Sequence, residues 1–485
     1  MSAWRRHAPG ALLVATLTLV SPPLLRAQSP APATSEQPSP SLEALVAEIR
    51  RLQAAIAALQ TELAASKRET ASVQQALQDL REELQEERDL LAAQVTTLEQ
   101  SKVESGSKYR VRLFGMALMQ LVSTRGGVDN IDLPLLAIET APGDSGGAIS
   151  AAVRQSYIGL AVFGPNVRGF DTSGDLRLDF FGGFPDANDG LSAPGVRLRT
   201  MQIAAEGART SIRLGQEAPF FSPLSPSSLS STAYPALSSS GNIWSWVPQV
   251  YAERRYARER DTTLSLRVGV LDALTGELPA GEYSRLPTAG ERSRMPAYAV
   301  RGGWRRGTGE RVASAGAGGY YSRHNWGYNR NVNSWAITGD GEVPLSRTLR
   351  FSGEVYTGVA IGGLGGGAHS SVLFAGSPDD PGATVFPLHS VGGWAQLKMK
   401  STPRLEFNLA AGGDRSLPRN YDGLLQPPRE EAPSASRNAS GLLNAIYQLR
   451  SNLFLTVEYR RLWTTRLDGR SWAGDHVSIG GGIAF

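Results

Sequence analysis

Two hydrophobic periods divide this chain of 485 residues. Between Leu42 and Leu98 apolar residues recur at alternating steps of three and four, and from about residue 107 onward they recur at every second position. A step of 3.5 residues is typical of a helix with a narrow apolar seam, whereas a step of two is typical of a β-strand with one apolar face. The pattern therefore predicts a long helix followed by a β-rich domain.

The helical segment, residues 41–104, has the pattern of an oligomerising coiled coil. Thirteen of its seventeen seam positions are apolar, and neither proline nor glycine interrupts the run from Leu42 to Leu98. The polar seam positions, which can fix the register of a coiled coil, are Ser66, Thr70, Glu87 and Gln94. A single long helix packed on the barrel is the alternative, and these heptads do not separate a dimer from a trimer.

The alternating segments, within residues 105–485, predict an all-β transmembrane antiparallel barrel preceded by an α-helical coiled coil. In TLSLRVGV, for example, Leu264 and Leu266 share one face and Arg267 lies on the other. A soluble sandwich would bury the apolar face, whereas a membrane barrel turns it towards lipid. The final alternating strand ends on Phe485, which is typical of outer-membrane proteins, and this favours the membrane barrel.

Length sets the size of the predicted barrel. About 380 residues at roughly 20 to 24 per strand and turn give 16 to 18 strands, enough for an aqueous channel. Aromatic residues near the predicted strand ends are candidates for the girdles of such barrels. These candidates are Tyr109, Trp335, Trp394, Tyr459 and Trp463.

The N-terminus predicts export. Residues 1–27 combine a basic start with a short apolar run and end in Leu25-Arg26-Ala27, as a signal peptide does, with a membrane anchor as the alternative. Residues 28–40 form a Pro-rich linker. The chain has no cysteine, which excludes disulfides and thiolate sites. We expect a Gram-negative outer membrane, with the coiled coil in the periplasm.

Charge separates the two regions and suggests a lining for the channel. Residues 41–104 carry −5, whereas residues 105–485 carry +7, almost entirely from arginine. Inward-facing guanidinium groups lower the barrier for anions. The alternation predicts these pore-lining, solute-binding residues: Arg110, Arg112, Arg154, Arg177, Arg197, Arg199, Arg213 and Arg267. The alternative is that each pairs with an inward carboxylate, from Asp179, Glu253, Glu354 or Glu458.

The motif GDSGG, residues 143–147, resembles the surroundings of a serine-protease nucleophile. In chymotrypsin-like chains a histidine and a carboxylate precede the nucleophile, and here the only histidine before Ser145 is His7, in the expected signal peptide. We therefore predict a turn here and no enzyme. Neither a metal site nor a cofactor is expected, and the dispersed arginines do not indicate nucleic-acid binding.

One connection is unusually long. Residues 216–246 are rich in proline and serine and contain two tryptophans near their end. Loops of this length in compact folds are often functional. This loop either lies outside the cell or folds into the lumen as a constriction, and the sequence does not separate the two.

The chain resembles the DcaP-like family of trimeric outer-membrane porins. The resemblance lies in YRVRLFGMALMQ, RQSYIGLAVFG, GDLRLDFFGGF, VRLRTMQIAAEG, IRLGQEAPFF and WVPQVYAERRY. It implies a homotrimer of 16-stranded barrels with an N-terminal periplasmic coiled coil and passive uptake of small, often anionic, solutes. The opening strand here, LFGMALMQLVS, lacks the acidic residue usual in the family.

The sequence therefore predicts an outer-membrane porin for small hydrophilic solutes, with a preference for anions such as carboxylates. Its expected partners are two further copies of itself, outer-membrane lipid, small anions and, through the coiled coil, peptidoglycan. Two alternatives remain open. One is a phosphate-type anion porin, against which the scarcity of lysine in the barrel counts. The other is a structural protein whose coiled coil tethers the membrane to the cell wall.

Overall fold

The computed structural model describes residues 42–100, 109–184, 193–259, 261–277, 285–367, 370–417, 421–427 and 435–485. The expected signal peptide, residues 1–27, and linker, residues 28–40, lie outside the described residues.

The helix α1, Leu42–Gln100, is 59 residues long. At 1.5 Å per residue it extends about 90 Å. In a single copy of the chain, the apolar seam side chains that the structure describes are exposed to solvent. They are Ile49, Leu52, Ile56, Leu59, Leu63, Val73 and Leu77. In the described part of the chain, α1 included, no helix combines the length and hydropathy that crossing a membrane requires.

The described residues after α1 form a closed antiparallel barrel of sixteen strands. The strands are β1 Arg110–Arg125, β2 Gly147–Ala152 continued by Tyr157–Val167, β3 Phe170–Asp179, β4 Arg197–Glu206, β5 Thr210–Glu217, β6 Val247–Glu259, β7 Thr262–Leu271, β8 Ala297–Arg306, β9 Ala313–Asn325, β10 Asn331–Pro344, β11 Leu349–Val359, β12 His389–Thr402, β13 Leu405–Ser416, β14 Ala435–Gln448, β15 Leu453–Arg466 and β16 Ser471–Ala484. The lower predicted strand count is thus confirmed.

The barrel closes where β1 pairs with β16, from Met116 opposite Ala484 to Arg125 opposite Asp475. The backbone of the terminal Phe485 exchanges two hydrogen bonds with Gly115, at 2.9 and 3.1 Å. The Phe485 ring lies where a β-carbon on Gly115 would stand, so a glycine is needed there. The terminal Phe485 therefore completes the junction between β1 and β16 that closes the barrel.

Short elements lie in the connections between barrel strands. They are the strands Gly127–Val128, Ala137–Ile138, Val372–Ala375, Thr384–Pro387 and Leu424–Leu425, and the 3-10 turns Glu291–Ser293, Gly309–Arg311 and Gly362–Leu364. The connections at the end of the barrel that carries Phe485 are short, whereas most of those at the opposite end are long. We call these the short-turn end and the long-loop end.

The outer face of the barrel is apolar, as the alternation predicts. Exposed aliphatic side chains project outward on strands all around the barrel, for example Leu121 on β1, Leu266 on β7 and Val355 on β11. Exposed aromatic residues border them at both ends. Tyr298, Tyr321 and Trp335 are cross-strand neighbours near the long-loop end, and Tyr256 and Trp304 flank Leu264 near the short-turn end.

The predicted position of one girdle residue, Trp394, is wrong. Trp394 on β12 is only 4% exposed and packs inside the barrel against Ala236 and Leu237. The register explains this, because Trp394 stands on the same face of β12 as Gln396, which hydrogen-bonds a segment in the lumen. Tyr109, Trp335, Tyr459 and Trp463 are exposed, as expected.

Candidate functional site

The connection between β5 and β6, residues 218–246, folds into the lumen. We call it the inner loop. Its backbone and side chains hydrogen-bond inward-facing side chains on strands far apart in the sequence, from Gln120 on β1 to Ser478 on β16. Of the two arrangements that the sequence left open for this loop, the structure shows the internal one.

Two buried acidic residues hold the inner loop. Glu354 on β11 accepts hydrogen bonds from the Ser222 hydroxyl at 2.9 Å and the Leu224 backbone N–H at 2.8 Å. Glu458 on β15 accepts one from the Ser228 hydroxyl and forms an ion pair of 2.7 Å with Arg460. The Glu458 and Arg460 side chains are 0% and 2% exposed, so each carries a charge that only its partners satisfy.

Neutral amide side chains hydrogen-bond the backbone N–H and C=O groups of the inner loop. Asn444 Nδ2 donates to the Ser227 carbonyl at 2.9 Å, and Gln396 Oε1 accepts from the Ser227 N–H at 2.6 Å. Asn438 Nδ2 donates to the Ser239 carbonyl at 2.8 Å. A backbone buried away from water needs such partners, and the inward Asn and Gln residues of the strands supply them.

Aromatic packing anchors both ends of the inner loop. Phe220 stacks on Tyr251 with ring centroids 4.7 Å apart, and Phe221 stacks on Tyr320 at 5.4 Å. Near the far end, Tyr234 and Trp246 stack at 5.9 Å. Large rings bury much apolar area and lose little side-chain entropy, so we expect the loop to hold one position.

A second connection, residues 126–146, fills the long-loop end above the inner loop. Arg154, in the break between the two parts of β2, forms a 2.8 Å ion pair with Asp132 of this connection. The backbone N–H of Ala137 donates to Thr464 on β15 at 2.8 Å. Arg154 therefore braces a loop, although the sequence placed it in the pore wall.

Burial divides the lumen wall into two sides. The inward-facing residues of β10–β16 are mostly buried beneath the loops, and we call these faces the packed side. The inward-facing residues of β3–β7, and those of the first part of β1 up to Met116, are mostly half-buried or exposed, and we call these faces the open side. A cavity of about 820 Å³ lies between the inner loop and β6–β9, and its lining reaches the short turns at Asp261 and Gly307.

Three of the predicted arginines face the lumen without a carboxylate partner among the described residues. Arg110 and Arg112 on β1 lie 4.3 and 5.8 Å from the centroid of the Phe163 ring. Arg199 lies 5.2 Å from the Trp246 ring and 5.8 Å from the Tyr157 ring. A guanidinium stacked on a ring keeps its in-plane N–H donors free, so these groups can hydrogen-bond a passing anion.

Local structure positions these stacked groups. The Phe114 ring lies between Arg112, at 5.9 Å, and Arg177 on β3, at 5.4 Å. This ring covers Gly159, where any β-carbon would collide with it. On β4 the pairing with β3 shifts register, which leaves Arg199 as the extra residue of a β-bulge. Bulges re-aim side chains, and this one places Arg199 beside the inner loop.

The remaining predicted arginines have acidic partners. Arg197 forms a two-point pair with Asp179, at 2.8 and 3.0 Å, and also donates to the Tyr234 hydroxyl of the inner loop. The other pairs are Arg213 with Glu206 at 2.6 Å, Arg267 with Glu253 at 3.0 Å, and a loose contact of 3.9 Å between Arg177 and Asp175. The structure therefore brings together Arg110, Arg112, Arg177 and Arg199 as the cations least neutralised by a carboxylate.

Arg255 on β6 is a further lumen-facing arginine that is not among the predicted residues. Its side chain lies on the open side of the lumen. The Arg255 guanidinium is 3.2 Å from the Glu206 carboxylate, which also pairs with Arg213. The signal was present, because Arg255 stands two residues beyond Glu253 and therefore on the same face of the strand. Glu206 neutralises only one of its two arginine partners, which adds to the positive charge of the open side.

The GDSGG segment is an exposed turn. Gly143 and Gly146 have φ angles of 94° and 71°, a region that favours glycine. The Ser145 hydroxyl donates to the Gly147 carbonyl at 2.7 Å. This is the local hydrogen bonding of a turn residue, as predicted.

Titration near the mouth of the barrel involves Asp272, directly after β7. Burial raises the pKa of its carboxyl group, and the carboxylate of Glu291 raises it further. Its charged form therefore costs free energy in the folded state.

The fold is that of an outer-membrane channel. The crystal structure of the outer membrane channel DcaP of Acinetobacter baumannii superposes with a TM-score of 0.56, at 18% sequence identity over 78% of this chain and 99% of that chain. An anion-selective porin from Comamonas acidovorans matches at 13% identity over 78% and 100% of the two chains, with a TM-score of 0.47. No protein-family model and no curated protein matches the sequence. The predicted resemblance to DcaP-like porins is confirmed in the fold.

Proposed function

We propose that this protein is an outer-membrane porin through which small hydrophilic solutes diffuse passively, with a preference for anions such as carboxylates. The observation that carries the proposal is the divided lumen. The inner loop is fastened to the packed side, while the open side keeps half-buried polar side chains and a cavity of about 820 Å³. A constriction of this kind narrows a channel without requiring movement.

The charge of the open side supports anion preference. Arg110, Arg112 and Arg199 lie on the inner face and have no ion pair with any described residue, and each guanidinium contacts an aromatic ring. Wide pores also carry acidic residues, and here Glu206 and Glu253 are already engaged by arginines. A small carboxylate would therefore meet guanidinium groups without an acidic partner along this wall, whereas Glu206 and Glu253 would offer a cation less attraction because arginines already engage them.

The apolar outer face supports membrane insertion. An exposed apolar belt that encircles the barrel would aggregate in water and is the surface that outer-membrane barrels present to lipid. We place the short-turn end in the periplasm and the long-loop end outside, as is usual for such barrels. The conduction pathway requires no enzymatic step.

The exposed seam of α1 supports a homotrimer. Isolated apolar seams of this length are stable when partner helices bury them, and we propose that three copies form a periplasmic coiled coil. Replacing Leu59 and Leu63 with aspartate should reduce the trimer, measured by native mass spectrometry or cross-linking. Gln60→Asp, on the same turn but outside the seam, should leave it intact.

The test of function is the conductance and reversal potential of the purified protein in a planar bilayer under a salt gradient. Closures in steps of three with anion preference would support the proposal. Repeating the measurement with phosphate and with succinate separates a phosphate-type pore from a carboxylate pore. A well-folded protein that does not conduct would contradict the porin and favour a structural tether, for which binding of the intact chain to peptidoglycan is the measurement.

A further inference from the structure

An unusual pair of arginines faces outward near the long-loop end. Arg415 on β13 and Arg437 on β14 are direct cross-strand partners, and both are exposed. Neither has a hydrogen bond or an ion pair with any described residue through its side chain. Like charges placed directly opposite each other destabilise a sheet, so an anion bound between the two guanidinium groups would stabilise the pair.

The surface around this pair is indented and amphipathic. Arg437 and Ala439 line two outward depressions of about 490 and 330 Å³. Trp463 stands at the wall of the larger depression, and the Thr465 and Ser471 hydroxyls lie 2.9 Å apart along it. Tryptophan beside arginine is typical of the level where lipid headgroups meet the acyl region.

Below the two arginines the outer face is unusually flat. The outward positions that follow on β13 and β14 are Gly413 and Ala439, then Ala411 and Gly441. Leu409 and Leu443, both exposed, come next on the same face. The result is a shallow apolar depression that runs from the charged pair towards the middle of the barrel, with room for an acyl chain against the wall.

We propose that this surface binds a phosphorylated glycolipid of the outer leaflet. Arg415 and Arg437 together grip a headgroup phosphate, since each guanidinium offers a fork of donors that matches phosphate oxygens. Trp463 packs at the headgroup boundary, and an acyl chain lies along the small residues beneath. The inference rests on the proposed outer-membrane location and is independent of what the channel conducts.

The test measures lipid retention by the intact protein. The purified protein is incubated with bis-phosphorylated lipid A or with its dephosphorylated form, and the bound lipid is counted by native mass spectrometry. The wild type should retain the phosphorylated form in preference. The double variant Arg415→Ser, Arg437→Ser should bind it at least about tenfold more weakly, because each charge-assisted hydrogen bond to phosphate contributes at least about one order of magnitude.

The matched control is Arg306→Ser. Arg306 is an exposed arginine and is the last residue of β8, at the short-turn end. It should leave lipid A retention unchanged. Conductance, measured on all variants, shows that each barrel is folded, and it should not change. Equal retention by the double variant and the wild type, or no preference for the phosphorylated lipid, would overturn the proposal. A changed oligomeric state with unchanged retention would instead assign this surface to a contact between copies of the chain.

Discussion

The packed and open sides of the lumen are built from the same alternation but carry different chemistry. Inward positions on the packed side are mostly small or neutral hydrogen-bonding residues, such as Asn438, Ser440 and Asn444, and they are buried beneath the inner loop. Inward positions on the open side include arginines that remain half-buried, such as Arg199 and Arg213. The comparison shows that neutral amides and hydroxyls, together with the buried carboxylates Glu354 and Glu458, hold an internal loop, whereas guanidinium groups lie on the side that stays more accessible.

The largest expected effect comes from removing most of the inner loop, which lies between the packed and open sides of the lumen. Replacing residues 222–243 with a short Gly-Ser linker should raise single-channel conductance at least about twofold, because conductance grows with the free cross-section. Single-channel recording in planar bilayers measures this. A shortened loop that leaves conductance unchanged would mean that the inner loop does not limit the pore.

The next largest expected effect is on the free energy of unfolding, which should fall more for a variant on the packed side than for one on the open side. Glu458→Ala leaves the Arg460 guanidinium buried without its carboxylate partner and should cost about 3–5 kcal/mol of unfolding free energy. Glu206→Ala breaks a half-exposed pair on the open side and should cost less than about 1 kcal/mol. Urea unfolding of the barrel in lipid vesicles compares them. Equal costs would show that the two pairs have similar environments.

Selectivity should depend on the open side alone. The triple variant Arg110→Gln, Arg112→Gln, Arg199→Gln removes three cations that no described carboxylate neutralises, so we expect the anion-to-cation permeability ratio to fall about threefold or more. The reversal potential in a salt gradient measures it. The outward-facing Arg306→Gln and Arg323→Gln variants serve as controls, and an equal shift in them would point to surface charge in general.

The smallest expected effect concerns the mouth above the open side. Because burial raises the pKa of Asp272, its contribution to stability is greatest below the pKa of the unfolded chain, 3.8, and is lost as the pH rises through the higher folded value. Asp272→Asn should therefore raise the thermal midpoint more at pH 7 than at pH 3. A variant with the same gain at both pH values would show that the carboxyl group does not titrate differently on folding.

Much of this architecture follows from the sequence, because periods of 3.5 and two separate a helix from strands and identify the face of Arg267 or Leu266. The position of the inner loop does not follow, since proline and serine suit a loop in either place. Inward alternation also looks the same under a loop and in water, which is why Arg154 was misplaced. Trp394 was misplaced because the register of β12 turns its side chain inward. The bulge at Arg199 depends on pairing between strands, which no local pattern specifies.

The most direct test of the divided lumen uses the absence of native cysteine. Ser265→Cys places a thiol in the lining of the open cavity, and Ser440→Cys places one on the packed side, where Ser440 is 4% exposed. A bulky charged thiol reagent is then added to each open channel in a bilayer. We predict that conductance falls for Ser265→Cys and is unchanged for Ser440→Cys. Equal block of both channels, or block of Ser440→Cys alone, would contradict the division of the lumen into a packed and an open side.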